Sequence, residues 1–281
     1  MNELLYDINS GLIALVLFVS MAVAMELGYR IGYTTRTSAS DASKEHINGI
    51  QASILGILAL LLAFTLSLSL QRFDSRSEAV VDEANAIGTA YLRVQLVPAP
   101  LRKAVLVLIR DYVDLRVQST ALGVTDHAER DLQAAKVARI HAGLWDHARQ
   151  GVEVDPNLYP PTLFVEAING LIDSFGRREA ALNRHVPEVV LLLLYATFLM
   201  SGTIVGFASG AAGHRPSLVS YIMVALIVGL VFIIIDLDRP RRGFIQVNQK
   251  SLLDLQTWIH AEVSARERQI VPTTPSTIQK P

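Results

Sequence analysis

The sequence predicts an all-α polytopic membrane protein, with four transmembrane helices and a helical cytoplasmic domain inserted between the second and third. Three observations predict it. Residues 8–25, 47–70, 189–213 and 216–235 contain no Asp, Glu, Lys, Arg or His. The 281-residue chain is 51 % hydrophobic and 18 % charged, against about 25 % charged for soluble proteins, and its mean hydropathy is +0.36. Between the second and third stretches, a polar segment repeats its apolar residues at helical spacing.

Each of the four stretches is long enough to cross a membrane, because about 20 apolar residues span a hydrocarbon core of roughly 30 Å. The first reads as a retained helix. Ala22-Val23-Ala24 has the look of a leader cleavage site, but the residues before it carry Glu3 and Asp7 and no Lys or Arg, and a secretory leader needs a positive start. With the second span it forms a helix pair over residues 1–70. The third and fourth spans form a second pair over 187–236.

The insert, residues 71–186, carries four helical stripes. Phe73, Val80, Ala84, Ile87, Tyr91 and Val94 continue the second span. Leu101, Val105, Leu108, Ile109, Tyr112 and Leu115 follow Pro98 and Pro100. Leu132, Ala135, Ile140 and Leu144 make the third stripe, and Leu163, Ala167, Leu171, Ile172 and Phe175 the fourth. A C-terminal helical segment is expected over 237–269, on the side of the insert. A disordered tail follows at 270–281, rich in Pro, Thr and Ser. With four spans, the termini and the insert share a side. That side has nine Lys or Arg near the span ends, against Arg30, Arg36, Lys44 and Arg215 on the other. The positive-inside rule therefore places both termini in the cytoplasm.

Composition and motifs exclude several functions. Lys plus Arg number 25 and Asp plus Glu 26, without the basic excess of a nucleic-acid binder. Absence of cysteine removes disulfides, thiolate metal sites and thiol nucleophiles. The seven histidines form no i, i+4 pair, and no phosphate-binding or catalytic motif is present. The expectation is thus no enzyme, no cofactor and no metal.

Three constellations remain. At about 100° per residue, Gly49, Ala52, Ser53, Gly56, Ala59, Ala63 and Ser67 share one arc of the second span. Without Pro before Pro98, the helix is expected to run unbroken over 49–96, where Gln71, Asp74, Glu78, Asp82, Asn85 and Thr89 continue that arc. A small-residue face that becomes acidic suits a ring of helices around a pore. The competing reading is close helix packing, with the charges on a solvated face. Gly202, Gly206 and Gly210, four apart in the third span, read as a helix-packing groove. Asp236, Asp238, Arg239, Arg241 and Arg242 crowd the end of the fourth span around Pro240. They are expected to form an ion-paired junction, with Arg72 and Arg76 as further partners for the acids.

The residues from Leu58 to Ser67 (Leu-Ala-Leu-Leu-Leu-Ala-Phe-Thr-Leu-Ser), then Arg72-Phe73, then Glu83-Ala-Asn-Ala-Ile-Gly-Thr-Ala-Tyr-Leu-Arg93, resemble the signature of the bacterial bestrophin-like membrane proteins. Ser201-Gly202, Gly206 and Asp236-Leu-Asp-Arg-Pro-Arg-Arg-Gly243 resemble that family's second block. The resemblance covers roughly 47–91 and 186–247. It implies a multi-pass protein of the bacterial inner membrane, kinship with the oligomeric bestrophin anion channels, and an inorganic ion as permeant, without fixing the sign of that ion. The leading expectation is an oligomeric channel whose acidic stripe leans toward cations. The alternative is a membrane-anchored sensor or scaffold whose helical domain binds a cytoplasmic partner. The expected partners are the lipid bilayer and further copies of the chain.

Overall fold

The computed structural model describes residues 10–35, 41–97, 99–120, 127–154, 159–239 and 244–270. Among them every regular element is a helix, with no strand. The helices are α1 (Ser10–Thr35), α2 (Asp41–Arg93), α3 (Ala99–Thr120), α4 (His127–Val154), α5 (Tyr159–Leu182), α6 (Glu188–Ala211), α7 (Leu218–Asp238) and α8 (Lys250–Ile270). The tail expected at 270–281 lies outside the described residues except for Ile270, as do Pro98, Pro240, Arg241 and Arg242.

α2 has 53 residues, about 80 Å at helical rise. It is unbroken across the expected boundary near residue 70, because no proline interrupts it. A single 3-10 turn, Val94–Leu96, then ends it. Pro100 falls in the first turn of α3 and Pro160 and Pro161 in that of α5, where the missing N–H costs nothing.

The chain divides into two compact units. The first comprises Met1–Arg76 and Ala181–Val247, the second Ser77–Ala180 and Asn248–Pro281. Stretches of α1, α2, α6 and α7 are long and apolar enough to cross a membrane. In the first unit Met21, Leu58, Leu62, Phe198, Val224, Val231 and Ile234 form one buried cluster. Large apolar side chains also point outward, Phe18, Leu192 and Leu226 among them. Water would penalise such a surface; hydrocarbon does not.

α1 and α6 pack backbone to backbone. A Cβ on Gly206 would lie 1.9 Å from the Met25 carbonyl oxygen, and one on Gly210 2.3 Å from that of Tyr29. The fit is reciprocal: Cβ atoms on Gly28 and Gly32 would lie 2.0 and 2.2 Å from the carbonyl oxygens of Thr203 and Phe207. The glycine groove of the third span is thus filled by α1 of the same chain. The α1 half of this seam, Gly28-x-x-x-Gly32, lies beyond Glu26, outside the uncharged stretch 8–25. α1 runs on past it, with Arg30 paired to Glu26 at 2.9 Å one turn back. Gly213, with φ 80°, ends α6 in the left-handed region. There the His214 N–H donates to Ser209 O, a Schellman close that favours glycine.

In the second unit, the expected stripes of α2, α3 and α5 are largely buried: Val80, Ala84, Ile87 and Tyr91; Val105, Ile109 and Tyr112; Ala167 and Leu171. α8 joins them through Leu252 and Ile259. The stripe expected on α4 differs. Leu144 is buried and Ile140 half-buried as expected, but Leu132 is 45 % exposed and Ala135 is exposed, while Gln133, Val137 and Ala148 are buried in their place. Leu132 and Ala135 are small or isolated enough that α4's seat on α3, with Leu108 against Gly143, decides the face.

The seam gives a direct test. Gly206→Ala must push α1 from α6 and should cost about 1–3 kcal/mol, as overpacking does. Gly229→Ala has open space around its Cβ and should leave the melting temperature in detergent unchanged. Equal melting of the two variants would contradict the seam.

Candidate functional site

The arc of α2 singled out above is exposed along its whole length in the single chain. Gly49, Ser53, Gly56, Ala63, Ser67, Gln71, Asp74, Glu78, Asp82 and Asn85 are all exposed. No atom of the chain comes within 4 Å of a Cβ built on Gly49 or Gly56. Opposite them, Leu58, Leu62, Thr65, Ser69, Arg76, Val80, Glu83 and Ile87 are buried. α2 therefore has one face committed to the chain's own core and another that no described residue covers. Leu60 and Phe64, 57 % and 63 % exposed, lie within or beside the uncovered arc and interrupt its small residues.

A second cluster lies in the first unit at Arg76, whose side chain is 1 % exposed. Its Nε donates to Ala181 O at 3.3 Å and its Nη1 to Leu237 O at 3.0 Å. Nη2 donates to Arg184 O at 2.7 Å and Asp238 O at 3.3 Å. These carbonyls belong to the C-terminal end of α5 with its following turn, and to the end of α7. Helix C-termini leave such carbonyls unpaired and carry partial negative charge, so one planar cation satisfies two helix ends. Asp238 approaches the same guanidinium at 3.9 Å and accepts the Val186 N–H on both oxygens, at 3.1 and 3.2 Å. His185 Nδ1 stands 3.7 Å from its Oδ2. Asp236 accepts the N–H groups of Phe244 and Ile245, each at 3.0 Å, which ties back the chain leaving α7. Asp236, Asp238 and Arg239 are all buried. Arg241 and Arg242 lie outside the described residues.

The third cluster, in the second unit, was not among the expected sites. Glu83 is fully buried. Its carboxylate accepts Arg116 Nε at 2.6 Å, the Tyr112 hydroxyl at 2.9 Å, and Arg178 Nη1. Arg178 also reaches Gln249 Oε1 at 2.9 Å, and the Arg116 guanidinium lies over the Phe175 ring at 4.7 Å. Burial, and the Glu83 charge after it, push the Tyr112 phenol well above its ordinary value. The sequence holds one signal of this cluster: Glu83 sits within the apolar stripe of Val80, Ala84 and Ile87. Which arginines would meet it requires the fold, since Arg116 and Arg178 are 33 and 95 residues away.

No group of three or more His, Cys, Asp or Glu suited to a metal occurs among the described residues. An all-helical chain with four helices of membrane-spanning length defines a class, the multi-pass helical membrane proteins. Residues 16–252 match the Bestrophin-like domain, and the chain belongs to the Bestrophin-like family. Among solved structures it resembles two variants of a bacterial Bestrophin homolog from Klebsiella pneumoniae. One is 16 % identical with a TM-score of 0.63, covering 90 % of this chain and 99 % of that one. The other is 16 % identical with a TM-score of 0.64, covering 90 % and 97 %. A crystallised variant of a membrane protein is 17 % identical with a TM-score of 0.59, covering 94 % and 99 %. At such identities the likeness is one of fold. No curated protein matches the sequence.

His141 supplies a pH test of the second unit. It packs edge-on to Phe175, with ring centroids 5.3 Å apart, and against Tyr112 at 5.1 Å. Burial, and then the Arg116 charge, lower its pKa from 6.5 to about 4. The unfolded chain takes up this proton before the folded one. The stability from a neutral His141 is therefore complete above pH 6.5 and is lost as pH falls toward about 4. His141→Leu should flatten the fall of melting temperature across that window. An unchanged slope would refute the assignment.

Proposed function

We propose that the protein is a homo-oligomeric ion channel of the bacterial inner membrane. In this reading α1, α6, α7 and the apolar half of α2 span the bilayer, and both termini and the inserted helical domain lie in the cytoplasm. The α2 helices of several copies surround the path. Lipid contacts the apolar exterior, inorganic ions pass, and no covalent chemistry is assigned to the chain.

The uncovered face of α2 carries this reading. Small residues, amides and carboxylates gain nothing from hydrocarbon, and Asp74, Glu78 and Asp82 need water or counter-ions. A face that is neither in the chain's own core nor suited to lipid fits a hydrated axis shared between copies. The glycines of α6 give no support to an oligomer, because α1 fills their groove within one chain. Support for assembly therefore rests on α2 alone. Family membership and a fold shared with bacterial Bestrophin homologs agree with a channel. Leu60 and Phe64 would narrow the path and make it apolar there, while the acids below would concentrate cations.

Currents in planar bilayers, measured with ion substitution, test the reading. The parent should conduct, with cations favoured. Changing Asp74, Glu78 and Asp82 together to Asn or Gln should cut cation current at about 10 mM salt, where the Debye length is roughly 30 Å, and matter far less at about 1 M. Strong anion selectivity in the parent would rule out acidic rings in the path. Native mass spectrometry from mild detergent showing monomer alone would rule out the assembly.

A further inference from the structure

The second unit carries a groove of about 420 Å³ between α3 and α4, within the roughly 300–1,000 Å³ of small-molecule sites. Leu115 and Ile140 supply its apolar lining, Asp111 and Asp114 line it from α3, and Lys136 and Arg139 from α4. The opposite charges do not close across the gap. Among the described residues Lys136 and Arg139 make no ion pair or hydrogen bond. Among the described residues Asp111 is bridged only by its half-buried neighbour Arg110, at 3.1 Å.

Asp114 is used on one side only. Gln256 Nε2 donates to its Oδ1 at 2.7 Å, and His260 Nε2 lies 2.8 Å from the same oxygen. Its Oδ2 has no partner among the described residues, although the side chain is only 28 % exposed. Ionised carboxylates take about four hydrogen bonds. The groove therefore offers a half-satisfied carboxylate on one wall and two unpaired cations on the other.

We infer that this groove binds a small zwitterion, amino acid to dipeptide in size. Its anionic group sits on Lys136 and Arg139, the guanidinium offering a bidentate fork, and its ammonium on Asp111 and Oδ2 of Asp114. Occupancy is passed to α8, because Asp114 is the residue that α8 holds through Gln256 and His260. α8 in turn rests on α2: Leu255 lies 3.4 Å from a Cβ position on Gly88, and Trp258 meets Tyr91 edge-on with centroids 5.1 Å apart. A ligand that anchors Asp114 stiffens α8 against the helix proposed to line the path. Only this last consequence, regulation of current, rests on the channel reading.

Isothermal titration of the full chain in detergent tests the site, using L-glutamine, γ-aminobutyrate and glycylglycine as zwitterions, with glutarate and cadaverine as single-sign controls. At least one zwitterion should bind saturably and more tightly than either control. Binding should weaken about tenfold or more in Lys136→Ala/Arg139→Ala, two exposed positions that leave the fold intact, and in Asp114→Asn. No zwitterion binding, binding untouched by the double variant, or equal binding of glutarate would overturn the proposal. With the bound zwitterion, hydrogen exchange across α8 should slow in the parent, and unchanged exchange at saturation would overturn the relay. Bilayer currents are scored separately. A silent bilayer beside positive calorimetry removes the channel and keeps the site, and a conducting chain that binds no zwitterion does the reverse.

Discussion

The buried guanidinium of Arg76 is the constraint on which the apolar half of the molecule depends. A cation taken out of water costs several kcal/mol unless its donors are all met. Here four hydrogen bonds go to carbonyls at the ends of two helices, with the Asp238 carboxylate 3.9 Å away. Those carbonyls would themselves be orphaned without it. The need is mutual, so the position of α2 beside the ends of α5 and α7 is fixed by geometry rather than by apolar area. A lysine could not replace it, because one ammonium cannot reach carbonyls spread over a planar fork. Two of the points where the chain passes between its units, after Arg76 and before Ala181, belong to this cluster.

The glycine seam solves a different problem. In hydrocarbon, helices gain little from the hydrophobic effect and hold together by close contact. Reciprocal glycines on α1 and α6 bring backbones to a distance at which no Cβ fits. The consequence for function is indirect. With α6 occupied by α1 and the inner face of α2 occupied by the core, the outer face of α2 is left uncovered within the chain.

Glu83 is to the second unit what Arg76 is to the first. Its two arginines and one tyrosine bring α2, α3 and α5 to a single carboxylate. Gln249, just before α8, and Leu255 and Trp258 within it add contacts nearby. Both hubs lie on the buried face of α2, so the helix is gripped along one side and left bare along the other.

Much of this was legible in the residues alone. Uncharged stretches of spanning length declare their helices, since the length a bilayer demands is a local property. An unbroken α2 follows from the absence of proline, and its two faces follow from helical period. Arg76 and Glu83 could be seen as charges out of place on an apolar stripe. Their partners could not, because they lie up to 162 residues away. Nor could sequence assign the glycines of α6 to α1, since Gly28 and Gly32 follow a charged residue. The face of α4 escaped for the same reason: a weak stripe of Leu132 and Ala135 is overruled by where α3 stands. What is local in the chain, length, period and breakers, the sequence determined by itself. Which buried charge meets which, and which small-residue face is filled or left open, only the tertiary structure decided, because these depend on distances between helices that no spacing along one helix encodes.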